Sequence, residues 1–269
     1  MLSFIMPNSE PNHVPIYLYR YMSLNDAGLL YAERIILHNE LYFTSPANVN
    51  DPFDCIVDLD FSAPDNDWYQ YLIGLSQRLQ PQLSENKHEK WVDSIIKSGK
   101  HKEREIQSLI LGDLQNSVHS IGLLCLTERN NCILMWSHYA DSHSGICLEF
   151  ANYDSEPFIG APQRVNYLPV YTKAHAIYDH IYAQANRIFL SKSKCWEYEA
   201  EWRIIDHQTG HGVKYFEPTV LKGVILGCKI PDAHEQLILK WVSERKYPII
   251  VYKAKQSPDG FNMIIEKLS

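Results

Sequence analysis

Three short stretches carry residue types that can do chemistry: WEYEAEWRII at 196–205, MWSHYADSHSG at 135–145 and NVNDPFD at 48–54. Read as a strand, the first points Glu197, Glu199, Glu201 and Arg203 to one face and Trp196, Tyr198, Ala200 and Trp202 to the other. Carboxylates about 7 Å apart on one face repel one another, and Glu is a poor strand former. Such a face is either a solvated ladder of weak ion pairs or a polar wall that meets a ligand. The aromatic side fixes which face is inward, so Glu201, and less strongly Glu199, are the residues expected to look into a cleft.

In the second stretch a short helix places Met135, Trp136 and Tyr139 toward a core, with His138 and Asp141 three apart on a neighbouring face. His138 then reads as a proton shuttle whose tautomer Asp141 fixes, or as a structural histidine bound to backbone near the turn. In the third, Asp51 is held extended or in a turn by Pro52, and Asn48, Asn50 and Asp51 can bond nearby backbone. Rigid loops of this kind carry binding groups beside a sheet, which makes Asn50 and Asp51 supporting candidates.

Other chemistries find little support. Cys125, Cys132, His138, His143 and Cys147 fall within a short span, but no gap has the CxxC or HExxH spacing, so no metal site is expected. Cys125 and Cys147 sit inside apolar, strand-like runs where a thiol is normally inert. There is no P-loop, no Rossmann glycine pattern and no G-x-S-x-G elbow, which leaves phosphoryl transfer and hydride transfer unsupported.

Composition frames these candidates. The chain has 269 residues, 45% of them hydrophobic, enough for a packed core. A formal charge of -7 argues against a surface tuned throughout to a polyanion, while a local basic groove would survive it. The opening MLSFIMPNSEPNHVP lacks a basic start followed by a long apolar run, and no later segment reads as a membrane span; the expected location is the cytoplasm, with no membrane partner. A reducing compartment would keep the six cysteines as thiols.

The elements that must position the candidates alternate. IYLYRYMS reads as a strand, Asn25 caps a helix over DAGLLYAERIILHN, and ELYFTSP is a second strand. From about 67 to 120 apolar residues recur at three and four, the mark of a helical insert. After it, IGLLCLTE, GICLEF, QRVNYLPVYT, WEYEAEWRII, VKYFEPTVLKGVILGC, YPIIVYKAK and FNMIIEKL read as strands, interrupted by helices at 177–190 and 232–245. With no internal repeat or low-complexity linker, the economical architecture is one α+β domain over 1–269, mostly antiparallel, with the helical insert at about 67–120.

The segments YLYRYMS, LYFTSPANVNDPFD, LMWSHYADSHSGICLEF, VNYLPVY and KCWEYEAEWRII, in that order, resemble the landmarks of a bacterial family catalogued as domain of unknown function 2971. More distantly, the layout resembles the split β-sheet of ADP-ribosyltransferases, which carry an Arg or His on an early strand, a hydroxyl residue on a following strand and a Glu, often as E-x-E, on a late one. Arg20, Thr44 or Ser45, and Glu199 with Glu201 match those positions in order, although the middle strand lacks the full Ser-Thr-Ser signature. The resemblance implies NAD as substrate and a transferase or glycohydrolase activity of a bacterial toxin or phage-defence system, with a protein or nucleic acid as possible acceptor.

Under that reading Glu201 or Glu199 stabilises the cationic ribose, Arg20 holds the pyrophosphate and Thr44 or Ser45 holds the ribose or carboxamide. Tyr21, Tyr42 or Tyr139 stacks on a ring. Two other readings stand beside it: a non-catalytic module that binds a nucleotide or a protein, and a hydrolase built on His138 and Asp141.

Overall fold

The computed structural model describes residues 14–152 and 160–268. The opening MLSFIMPNSEPNH lies outside them.

In chain order, β1 (Tyr17–Met22) is followed by α1 (Asp26–His38) and β2 (Glu40–Phe43). The short β3 (Leu59–Asp60) leads into α2 (Asp65–Leu79), α3 (Glu85–Ser98) and α4 (Arg104–Ser120). Next come β4 (Gly122–Thr127), α5 (Ile133–Tyr139) and β5 (Ile146–Ala151), then the short β6 (Gln163–Arg164), β7 (Asn166–Leu168) and β8 (Ala174–His175). The chain continues through α6 (Ile181–Phe189), β9 (Ser191–Ser193), β10 (Glu201–Asp206) and β11 (Gly212–Tyr215). It closes with β12 (Leu221–Leu226), α7 (Asp232–Glu244), β13 (Ile250–Gln256) and β14 (Met263–Lys267).

Eight of these strands form one sheet in the order β14-β13-β12-β5-β1-β4-β10-β6, antiparallel throughout except where β12 meets β13. The fold is therefore mixed α+β around a large, mostly antiparallel sheet. The helices of the 67–120 region add no strand to it. Among the described residues no helix is long and apolar enough to cross a membrane.

The two faces of the sheet differ in chemistry. On one, Leu18, Leu126, Leu148, Phe150, Trp202 and Ile204 pack with Ala32, Ile35 and Ile36 of α1 and Ile238 and Trp241 of α7 in a continuous apolar core. α1 is held in place by Asn25, whose side chain accepts from Gly28 N at 2.9 Å, and by Asn39, which ends it in a left-handed conformation. On the other face α5 lays Met135 and Trp136 over Tyr21, Cys147 and Ile225. At the β4–β10 end of that second face the apolar packing gives way to charge.

Candidate functional site

WEYEAEWRII is not one strand. Lys194–Glu199 forms a 3-10 helix that starts at Ser193, whose hydroxyl accepts from Cys195 N, and stops at Ala200, which is left-handed at φ 43. Thr127 Oγ1 takes the freed Glu199 carbonyl at 2.5 Å, and β10 begins only at Glu201. The expected alternation holds from Glu201 onward and fails before it. Trp202 faces the apolar core, whereas Trp196 and Tyr198 leave the strand geometry and sit half-buried at its edge. Ser193 offers a helix start, Glu resists extension, and Thr127, distant in the chain, captures the Glu199 carbonyl.

The charged face is buried rather than solvated. Glu197 is exposed, but Glu199, Glu201 and Arg203 are 3%, 4% and 0% exposed, so these three form no solvated ladder. Arg203 makes a two-toothed pair with Asp54, Nη1 to Oδ1 at 2.8 Å and Nη2 to Oδ2 at 2.5 Å. Its Nε and Nη2 also donate to Glu201 Oε1 at 2.8 Å and Oε2 at 3.0 Å, and Nη1 donates to Phe189 O at 2.8 Å. Lys192 Nζ lies 2.5 Å from Glu199 Oε2, 3.0 Å from Glu201 Oε2 and 3.7 Å from Asp54 Oδ2. Buried charge persists only when paired and hydrogen-bonded in this way. Three carboxylates nevertheless face two cations, leaving one negative charge in excess.

That excess is unequally shared. Burial alone would raise the Glu201 carboxyl, but the Arg203 guanidinium and Lys192 more than offset it and hold Glu201 at about 2. At Glu199 burial prevails: the carboxyl is raised above its ordinary value despite Lys192 and Tyr139. Glu199 is also the member that meets the groups of α5 and the NVNDPFD loop. Its Oε1 accepts from Tyr139 OH at 2.5 Å, and Asn50 Nδ2 donates to the same phenol at 3.1 Å. Beside them exposed His138 presents Nδ1 to Tyr198 OH at 3.0 Å. Tyr198 thus occupies the place that spacing assigns to Asp141, which lies in a left-handed turn running from Asp141 to His143. Gly145 ends that turn because a Cβ there would sit 2.1 Å from Met22 O.

The NVNDPFD loop supplies two of these groups. Asp51 Oδ1 accepts from Phe53 N at 2.9 Å and Asp51 O from Asp54 N at 3.0 Å, forming a tight turn that aims Asp54 inward. Asn50 and Tyr139 therefore converge with Glu199, while Asp51 acts on the backbone.

The remaining sequence candidates lie elsewhere. Tyr19, Thr127 and Glu201 are cross-strand partners in one row and share a face. Arg20 follows Tyr19, pairs with Leu148 of the apolar core and so points to the opposite face, where its Nη1 donates to Cys125 O at 3.0 Å. Thr44 pairs with Leu123, at the far end of β4 from Thr127, and Ser45 Oγ donates to His119 O at 2.7 Å. Tyr21 packs edge-on against Trp136 with ring centroids 5.1 Å apart, and Tyr42 lies beside Tyr31. The cleft expected to join Glu201, Arg20 and Thr44 or Ser45 does not form, because strand alternation sends Arg20 through the sheet.

Asp54 and Lys192 are members of the ion cluster that the motifs do not single out. The available signal is indirect and covers Lys192 alone: Glu199 and Glu201, once buried beside Arg203, require a further cation from outside the motif. All six cysteines are free, and burial pushes the Cys125 and Cys147 thiols well up, which makes both poor nucleophiles. Among the described residues no group of three His, Cys, Asp or Glu side chains is arranged to hold a metal ion.

Comparison with known proteins places one part of the chain. Residues 135–204 match a family described as Protein of unknown function (DUF2971). The matched segment contains the Met135–Tyr139 part of α5 with His138 and Tyr139, Lys192, and the Glu199–Glu201–Arg203 run, so most of the buried ion cluster lies inside it. No curated protein and no solved structure matches the chain.

Proposed function

We propose that this protein cleaves the glycosidic bond of a nucleotide with Glu199 as the acting carboxylate; NAD is the substrate class suggested by the E-x-E part of the ADP-ribosyltransferase resemblance, Arg20 and Thr44 or Ser45 lying away from it. The observation that carries this reading is the unbalanced charge of the buried cluster, three carboxylates against two cations, with Glu199 the member bordered by Tyr139, which Asn50 also bonds. A structural ion network gains nothing from an uncompensated charge in a low-dielectric interior. A site for oxocarbenium chemistry does gain, because positive charge appears on the ribose only as the bond breaks and meets the excess negative charge then.

In this scheme Tyr139 holds Glu199 in the free protein, and a ribose hydroxyl offering the same donor replaces it. Nicotinamide leaves with the electron pair of the C–N bond as a neutral base. Water or an acceptor nucleophile adds to the ribose carbon and gives up its proton to Glu199 or His138. Glu201, with both oxygens engaged by Arg203 and Lys192, anchors the cluster. A transferase and a glycohydrolase share every step before the acceptor adds, and a toxin or phage-defence setting accommodates either.

The test is nicotinamide release by the purified protein, with and without cell extract. Release in either condition, reduced a hundredfold or more in Glu199→Gln, supports the reading; this corresponds to roughly 3 kcal/mol of lost transition-state stabilisation. Absence of release in both conditions overturns it.

A further inference from the structure

On the Lys192 side of the ion cluster the chain forms a second concavity of about 160 Å³, bounded by the 53–58 loop, the 168–172 segment and β9. Cys55 and Lys192 belong both to its lining and to the charged cluster. We propose that this cavity is a binding site for a single neutral nitrogen heterocycle of the nucleobase or pyridine-carboxamide kind.

Size sets the first limit. Pockets for drug-sized ligands run from about 300 to 1,000 Å³, so this one takes one ring and not a whole dinucleotide. The lining sets the second. Phe53 and Tyr171, 67% and 49% exposed, both line the cavity and supply aromatic surface that suits a flat π-system. Ser191 and Ser193 bring hydroxyls that can give or accept hydrogen bonds at a ring edge. Charge sets the third. Asp58 is paired with Lys173 at 2.9 Å and Lys192 is held by Glu199 and Glu201, while Arg187 donates to the neutral Thr172 Oγ1. A neutral heterocycle leaves all of these contacts intact.

The inference stands on the cavity alone and holds whether or not Glu199 is catalytic. It is tested by ligand-observed NMR and calorimetric titration of the full chain with nicotinamide, adenine and cytosine as probes. Saturable binding of at least one of them, with a Kd of about 1 mM as fits so small a ligand, supports the site if it weakens tenfold or more in Val170→Trp or in Phe53→Ala. Both positions are well exposed, so folding is retained and is verified by an unchanged Tm. No saturable binding of any of the three probes, or binding unaltered in both variants, overturns the proposal.

Discussion

Asp54 and Arg203 stand 149 positions apart in the chain and close a two-toothed ion pair at 2.8 and 2.5 Å, with Arg203 wholly buried. The pair ties the NVNDPFD loop to β10 and carries the floor of the site. Removing one member leaves the other charged and unsolvated, which costs far more than a surface pair is worth. Arg203→Met is therefore expected to destabilise the fold by about 3–5 kcal/mol in urea denaturation. A loss below about 1 kcal/mol would show that water reaches the cluster.

Acid should weaken the fold through Glu201. Its carboxyl is held at about 2 in the folded chain against an ordinary 4.5, so its stabilising contribution is complete above 4.5 and is lost as pH falls from 4.5 toward 2. The slope of unfolding free energy against pH over that window should be shallower in Glu201→Gln than in the natural chain. Equal slopes would contradict the assignment.

Glu199 behaves in the opposite sense. Burial raises its carboxyl above the ordinary value, and activity that needs the carboxylate should rise with pH through the folded value. Lys192 lowers that value; Lys192→Met should therefore move the rising limb to higher pH. Tyr139→Phe removes a hydrogen bond that also lowers it, and should shift the limb the same way with an activity loss of about tenfold, smaller than that of Glu199→Gln. A pH–rate profile unchanged in both variants would separate Glu199 from the chemistry.

Trp202 supports the other face of the same strand. It is 2% exposed in the main core and its Nε1 donates to Glu128 Oε2 at 3.0 Å. Trp202→Ala should cost about 3–5 kcal/mol through the cavity it leaves. A Tm close to that of the natural chain would contradict its placement.

The sequence reading was most reliable where local physics decides the outcome. Asn25 announces the start of α1, the three-and-four spacing after residue 67 announces helices, and the aromatic alternation correctly sends Trp202 into the core. It failed where distant partners decide. Ala200 breaks the expected strand because Ser193 and Thr127 capture the backbone on either side of it. Asp54 and Lys192 carry no mark of their roles until the loop and β9 close on β10. Arg20 has the right residue type on the right strand but the wrong parity, and parity became readable only with the register of β1 against β4 and β5.

The central claim is that the cluster's excess negative charge resides on Glu199, and site-resolved carboxyl titration by NMR of glutamate-labelled protein tests it most directly, with no substrate needed. The account predicts that Glu199 titrates above 4.5 and Glu201 near 2, and that Lys192→Met raises Glu199 further while Arg20→Met leaves both unchanged. A Glu199 titration at or below 4.5, or one that moves with Arg20, would contradict it.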